Sequence, residues 1–488
     1  MRDWVRSLCP SDVLSRPVET QPECAALAWA ASGVMDLTGR PDGAPAVSPA
    51  AAYGLLLETT GALARITAEI GSEVRADPGL LLAGRAGLLN LRRGGQQTAG
   101  GAGRLLRTSD GWCAITLSRQ DDIDSVPAIL GVDSVADDPW ETLTAAARDR
   151  TATDLADRAQ LLGVPAAALP TAAYPAAALP ADPRLGAVLS AAAPAPAAAD
   201  SGAAPPARHL VDAHPATGLS DDAARPVAGL SAAPCTPPDS RCPWQTSRIA
   251  EPVVGARLDG AVVVDLSSMW AGPLCAHLLG RAGARVVKVE STRRPDGARR
   301  GDPRFFEWLH GGHEQIAVDF HTPAGQATLR ELVSAADVVI EASRPRALAQ
   351  LGLAPGDRAH RDGQIWLSLT GYGRADPMRV AFGDDAAVAG GLVGWDTGEP
   401  VFCGDAIADP LTGICAALAV CGAVHGGGGL LIDLSMRATS AAFAAAPVLT
   451  HGPHRVLADG ASWVVECPHY GRAQRVLRPR IPQPGGSA

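Results

Sequence analysis

Residues 262–290, VVVDLSSMWAGPLCAHLLGRAGARVVKVE, constrain the fold more than any other stretch. The first run, 262–266, is rich in β-branched residues, which fit a buried strand. Ala271-Gly272-Pro273 breaks that run, and Pro273, with fixed φ and no N–H to lose, suits the first turn of a helix. The apolar-periodic segment that follows ends at Gly283, and 285–290 re-emerges as a second strand. Strand, helix, strand in this order implies a parallel pair with a crossover helix. The unit is the size of a nucleotide-binding one but contains no GxGxxG, so a dinucleotide site has little support.

The same alternation continues downstream. A strand over 315–320 is followed by Thr322-Pro323, a helix start with threonine as N-cap and proline in the first turn; Leu329, Leu332 and Val333 give that helix one apolar face. Further strands are expected over 337–341, 364–369 (ending in TGYG) and 430–434. Between the last two lie a loop with Asp384-Asp385 and a helix over 409–425, in which Asp409-Pro410 reads as a helix start. The expected fold class is α/β: a Rossmann-like parallel sheet with crossover helices, plus a smaller mixed α+β domain, with ligands near the carboxyl ends of the strands.

At 488 residues the chain predicts two to four domains of about 100–200 residues each. Residues 1–165 read as a mixed block, with a helix over Ala50–Ile70, a basic glycine-rich loop over 92–104 and an Asp110-Gly111 hairpin. Residues 166–252 turn to Pro/Ala tracts and read as a linker, with 183–190 and the surroundings of Trp244 able to dock locally. Residues 253–447 form the Rossmann-like block, and 448–488 a Pro/Arg-rich tail. A net charge of −9 and pI near 5.7 exclude the broad basic footprint of a nucleic-acid binder. Neither a signal peptide nor a membrane span is evident, so a cytoplasmic protein is expected. The ten cysteines include no CxxC pair, which points to small buried thiols and no metal.

Taken in order, LDGAVVVDLSSMWAGPLCAHLLGRAGARVVKVE, VDFHTPAGQATLRELVSAADVVIEASRPRALAQLGL, LSLTGYG and GDAIADPLTGICAALAV resemble the class III CoA-transferases, relatives of formyl-CoA and carnitine CoA-transferases and of α-methylacyl-CoA racemase. The N-terminal block is similar to the later part of that family: SGVMDLTGRPDGAP (32–45) to the segment after the catalytic carboxylate, GGAGRLLRTSDGWCAITLS to the small domain. The former also echoes GGLVGWDTGEP (390–400). The halves therefore stand in permuted order, and the resemblance implies either a homodimer or intrachain pairing of the two blocks.

The resemblance implies transfer of CoA from an acyl-CoA thioester to a small carboxylic acid through an aspartyl-CoA intermediate, with coenzyme A as substrate and no tightly bound cofactor, nucleic acid or membrane partner. A carboxylate is a weak nucleophile and must be placed and partly desolvated against the carbonyl. By the Gly-x-Asp pattern it is Asp385, while counting back from the Gly-Gly turn gives Asp384; two solvated loop acids are the plainer alternative. The equivalent place in the N-terminal block reads Glu23-Cys24-Ala25, without an aspartate. The family pattern puts CoA contacts at Arg293, Arg299, Arg344, His313, Thr370 and Gly371, and the acyl pocket at Trp270 and Gly404. Guanidinium forks suit phosphates. His313 stands where a lysine is usual, Trp270 where a glutamine is usual, and the glycine tract 426–429 where arginines are usual. An α-methylacyl-CoA racemase-like enzyme, which needs a second acid/base such as His360, and a catalytically impaired CoA-binding homologue are the alternatives.

Overall fold

The computed structural model describes residues 24–175, 242–343, 345–447, 449 and 451–483. The first block opens with helices α1 (Ala25–Ala31), α2 (Ala50–Ile70) and α3 (Pro78–Leu89). Asp77 caps α3 by accepting from Leu80 N (3.1 Å), and Pro78 takes the first turn, as expected of an N-cap followed by proline. Strands β1 (Gly103–Arg107) and β2 (Trp112–Thr116) pair antiparallel about the Asp110-Gly111 turn, where Thr108 N donates to Gly111 O and Gly111 N to Thr108 Oγ1. Helix α4 (Ala152–Leu161) leads into β3 (Ala166–Ala168), which adds to β2.

The second block contains a seven-stranded sheet. Its strands are β4 (Trp244–Arg248), β5 (Val262–Asp265), β6 (Arg285–Ser291), β7 (Glu314–Val318), β8 (Val338–Glu341), β9 (Ile365–Thr370) and, later in the chain, β12 (Leu430–Ser435), in the spatial order β4-β12-β9-β8-β5-β6-β7. All neighbours are parallel except the edge strand β4, which runs antiparallel to β12. Helix α5 (Ala271–Arg281) is the crossover between β5 and β6, followed by α6 (Pro303–His310) and α7 (Pro323–Ala335). The Thr322 side chain accepts from Gly325 N and caps α7. Leu329 and Val333 on α7 pack on one sheet face with Val264, Val287, Val339 and Trp366, while α5 covers the other face and meets the long apolar α9 (Ala408–His425). Helices α8 (Gly383–Ala389) and α10 (Met436–Ala444) complete this layer, with the hairpin β10 (Gly394–Asp396) and β11 (Glu399–Val401) between α8 and α9. Among the described residues α9 alone has the length and apolar composition to cross a membrane, and it is largely buried in the core.

The two blocks share one core. α2 packs along α9, and the buried cluster that holds Leu56, Leu63 and Ile66 also holds Leu274, Ile414 and Leu418. The chain backbones meet as well: Ser72 N donates to Ala282 O and Leu258 N to Ile70 O, both at 2.8 Å. Gly71 lies so close to the Ala282 carbonyl that a Cβ would overlap it. The two similar turn segments face each other, with Arg40 Nη2 2.9 Å from Glu399 Oε2.

Two sequence expectations change. The Pro/Ala-rich 166–252 stretch gives both its ends to sheets, as β3 and β4; 183–190 lies outside the described residues. The tail is not uniformly irregular: β13 (Arg455–Asp459), β14 (Ser462–Cys467) and β15 (Arg472–Arg475) form an antiparallel sheet. On β14 the inward-facing Val465 and Cys467 alternate with Val464 and Glu466, a period of two that short strands carry too weakly to stand out in a Pro/Arg-rich composition. Leu477 N beyond it donates to Ala30 O on α1 (2.9 Å).

Candidate active site: carboxylates at two helix starts

The first turns of α8 and α9 bring four aspartates together. Asp385 Oδ1 accepts from Phe382 N at 2.9 Å, closing the first turn of α8, and Thr116 Oγ1 of the first block lies 3.5 Å from it. Asp384 Oδ1 accepts from Ala406 N (2.9 Å). Asp405 takes both its oxygens to Arg85 Nη1 of α3 at 2.7 Å. Asp409, in the first turn of α9, lies against Gly383; a Cβ on Gly383 would overlap Asp409 Oδ2 and the Ala406 carbonyl, so the close approach requires glycine. Arg85 also stacks over Trp270 (5.6 Å) and Phe305 (5.8 Å), whose rings meet edge-on.

Three or four carboxylates facing one guanidinium cannot all ionise freely. Burial pushes Asp384 up to about 7, reinforced by Asp405 and opposed by the Ala406 N–H and Arg85. Burial likewise pushes Asp409 up to about 7, opposed by Arg85 and the Gly383 N–H and reinforced by Asp405. Burial outweighs Arg85 and raises Asp405. Asp385 is raised furthest, by burial and by Asp384 against the Phe382 N–H. Such groups titrate as a set, and their concentration in one place marks a candidate functional site.

This geometry separates the candidates by access. Asp385, the residue the Gly-x-Asp pattern selects, is 0% exposed and its Oδ1 closes the first turn of α8. Asp405 is held by Arg85 and 2% exposed. Asp384 and Asp409 are only partly buried, and of these Asp384 is bonded to Ala406 N.

The other expected contacts divide. Trp270 is buried under Arg85, and Gly404, with φ +68°, donates its N–H to Thr38 Oγ1 (3.1 Å), so both adjoin the carboxylates. At the end of β9, Thr370 Oγ1 accepts from Gly373 N (2.7 Å), and Gly371 O accepts from Arg437 N (3.0 Å). Arg293 and Arg299 stand apart on the loop after β6: Arg293 pairs with Asp319 (3.1 Å), and Arg299 with Glu290 (2.6 Å) over the Phe306 ring (3.8 Å). Arg344 lies outside the described residues. His313 lies among other histidines. Its ring packs against His310 (5.7 Å) and His277 (6.5 Å), and burial lowers its pKa, leaving it neutral at pH 7.

Those histidines border a second buried centre. Lys288 Nζ, fully enclosed, lies 3.0 Å from Asp296 Oδ2 and 3.6 Å from Asp265 Oδ2, and also donates to Ser267 O. Asp296 Oδ1 accepts from Met269 N and Ala298 N, and Asp265 Oδ1 from Ser267 N, each at 2.9 Å. His310 and His277 are each pushed down to about 4, chiefly by burial.

Arg85, Thr116, Asp405 and Asp409 were not singled out as site residues by the sequence. Arg85 and Thr116 carry no local signal, being more than 260 residues from the acids they meet. Asp405 and Asp409 did carry one: two acids four apart at the start of an otherwise apolar helix.

Residues 258–467 match the family described as CoA-transferase family III. The chain is 33% identical over 196 residues to succinyl-CoA–D-citramalate CoA-transferase of Chloroflexus aurantiacus, covering 37% of this chain and 49% of that one. It is also 33% identical over 202 residues to succinate–glutarate CoA-transferase of Agrobacterium fabrum, covering 37% and 50%. The chain thus spans about half the length of the curated relatives it matches. A solved CAIB/BAIF family protein from Brucella suis is 27% identical, with 43% of this chain and 65% of that chain covered and a TM-score of 0.39.

Proposed function

We propose that this protein transfers CoA from an acyl-CoA to a carboxylic acid, with Asp409 as the nucleophile and the two blocks pairing within one chain in place of the family's dimer. The observation that carries this reading is the partly buried Asp409 carboxylate at the start of α9, raised to about 7 among Asp384, Asp405 and Arg85. An Asp409 oxygen attacks the thioester carbonyl, forming a mixed anhydride and releasing CoA thiolate. The thiolate attacks the aspartyl carbonyl, expelling the first carboxylate and leaving an aspartyl-CoA thioester. The acceptor carboxylate attacks that thioester, again releasing thiolate, which then takes the acceptor's acyl carbon and restores free Asp409. Desolvation strengthens the carboxylate as a nucleophile, and the Gly383 N–H holds it in place. Arg85 offsets the charge of whichever acids are ionised, and Arg293 and Arg299 are the candidate cations for the CoA phosphates.

A racemase reading is less favoured because His360 has both ring nitrogens engaged, with Gln364 Oε1 (2.8 Å) and Pro355 O (2.7 Å), at the amino end of β9, whereas the carboxylates follow its carboxyl end. The test is incubation with succinyl-CoA and labelled dicarboxylic acids, and in parallel with a 2-methylacyl-CoA, in deuterated buffer. Label appearing in acyl-CoA supports transfer. Deuterium at the α-carbon of a 2-methylacyl-CoA without exchange supports the racemase, and CoA binding with neither supports an impaired homologue.

A further inference from the structure

Four metal-ligating side chains from distant parts of the chain converge beside the C-terminal sheet. Cys24 directly precedes α1, His451 and His454 lie between α10 and β13, and Cys467 ends β14. One donor atom from each falls within 4.8 Å of all the others. Cys24 Sγ is 3.2 Å from His454 Nε2 and 3.3 Å from His451 Nε2. Tetrahedral zinc, with Zn–S of about 2.3 Å and Zn–N of about 2.0–2.1 Å, sets its donors about 3.3–3.8 Å apart. The cluster therefore has nearly the size of a zinc shell before any rearrangement. Both cysteines are buried free thiols, and the two imidazoles are partly buried.

We propose that Cys24, His451, His454 and Cys467 form a structural zinc site. Two sulfurs and two imidazole nitrogens in a tetrahedron select zinc among the common divalent ions, and four protein ligands leave no open position for catalysis. The site replaces the sequence-based expectation of buried thiols without a metal. That expectation looked for close CxxC pairs, whereas here the cysteines lie at opposite ends of the chain and only the histidines, in an H-x-x-H spacing, are neighbours. The ion fastens the start of α1 to the sheet that α1 already packs against through β14 and β15, so it joins the first block to the end of the second. His469 stacks on His451 at 4.9 Å and Tyr470 meets the same ring edge-on, which fixes its orientation from outside the donor set.

The test uses full-length protein without a histidine tag, purified under reducing conditions and assayed by elemental mass spectrometry. One zinc per chain is expected, and replacement by Co(II) should give the d–d and sulfur-to-metal bands of a tetrahedral dithiolate. Cys467→Ser and His454→Ala should each bring the zinc content close to zero, while His469→Ala keeps one per chain. The Co(II) spectrum of the unaltered protein decides the matter if the variants fail to fold. Absence of zinc as purified together with no Co(II) bands on addition would overturn the proposal, as would a Cys24–Cys467 disulfide in metal-free protein or full zinc retention in both ligand variants.

Discussion

Two buried polar centres among the described residues differ in how their carboxylates are satisfied. Around Lys288, two aspartates face one ammonium, and their other oxygens accept backbone N–H groups. The surrounding histidines are neutral at pH 7. At the starts of α8 and α9, Asp384, Asp405 and Asp409 share one guanidinium, and all three are raised. A shared ammonium and backbone N–H donors hold loops after β5 and β6 to the sheet. Excess negative charge with partial access stabilises nothing by itself, and is retained where a reactive carboxylate is needed. The proposed function draws on the second centre, while the first holds the loops after β5 and β6 in place.

Four substitutions or conditions separate the two. Asp409→Asn should lower CoA-exchange turnover on the order of 10⁶-fold, the scale at which a lost nucleophile acts, with urea-unfolding stability at pH 8 equal to or above that of the parent. Turnover within tenfold of the parent would remove Asp409 from the mechanism. Lys288→Met should do the reverse, costing about 3–5 kcal/mol in urea unfolding because Asp265 and Asp296 are left buried without a cation.

The pH dependence follows from the direction of the shifts. Below about 7 the protein holds Asp384 and Asp409 protonated, so exchange activity should fall about tenfold per pH unit on the acid side and level off above. The unfolded chain releases these protons near 3.8, the ordinary value. Protonation therefore favours the folded state: the contribution of these acids is fully present below about pH 4 and is lost as pH rises through 7. Asp384→Asn and Asp409→Asn should flatten this part of a stability-against-pH curve, whereas Lys288→Met should not. The smallest effect belongs to Arg293→Ala: its exposed pair with Asp319 is screened by solvent and adds little to stability, so a rise in KM for acyl-CoA without a loss of stability would place it on the phosphates.

The elements set by local pattern were legible in the sequence. The apolar runs of β5 and β6, the Thr322-Pro323 cap, the Asp110-Gly111 hairpin and the long helix Ala50–Ile70 all appear within a residue or two of where propensity and periodicity put them. Contacts that depend on distant pairing were not. β4 becomes a strand because β12 offers it an edge, not because WQTSR is apolar. Asp385 satisfies the pattern for a nucleophile, yet its carboxylate is used to cap α8; Asp409 looked like a helix start and is one, but the same position also brings it to Gly383 and the other acids. Arg85 and Cys24 acquire meaning only when α3 and α1 dock on the second block.

The most direct test of the central claim is to add acyl-CoA, trap with hydroxylamine and map the modified peptide by mass spectrometry. A hydroxamate at Asp409, dependent on acyl-CoA and absent from Asp409→Asn, is the predicted result; a hydroxamate at Asp384 or Asp385, or none under conditions where CoA exchange proceeds, would contradict it.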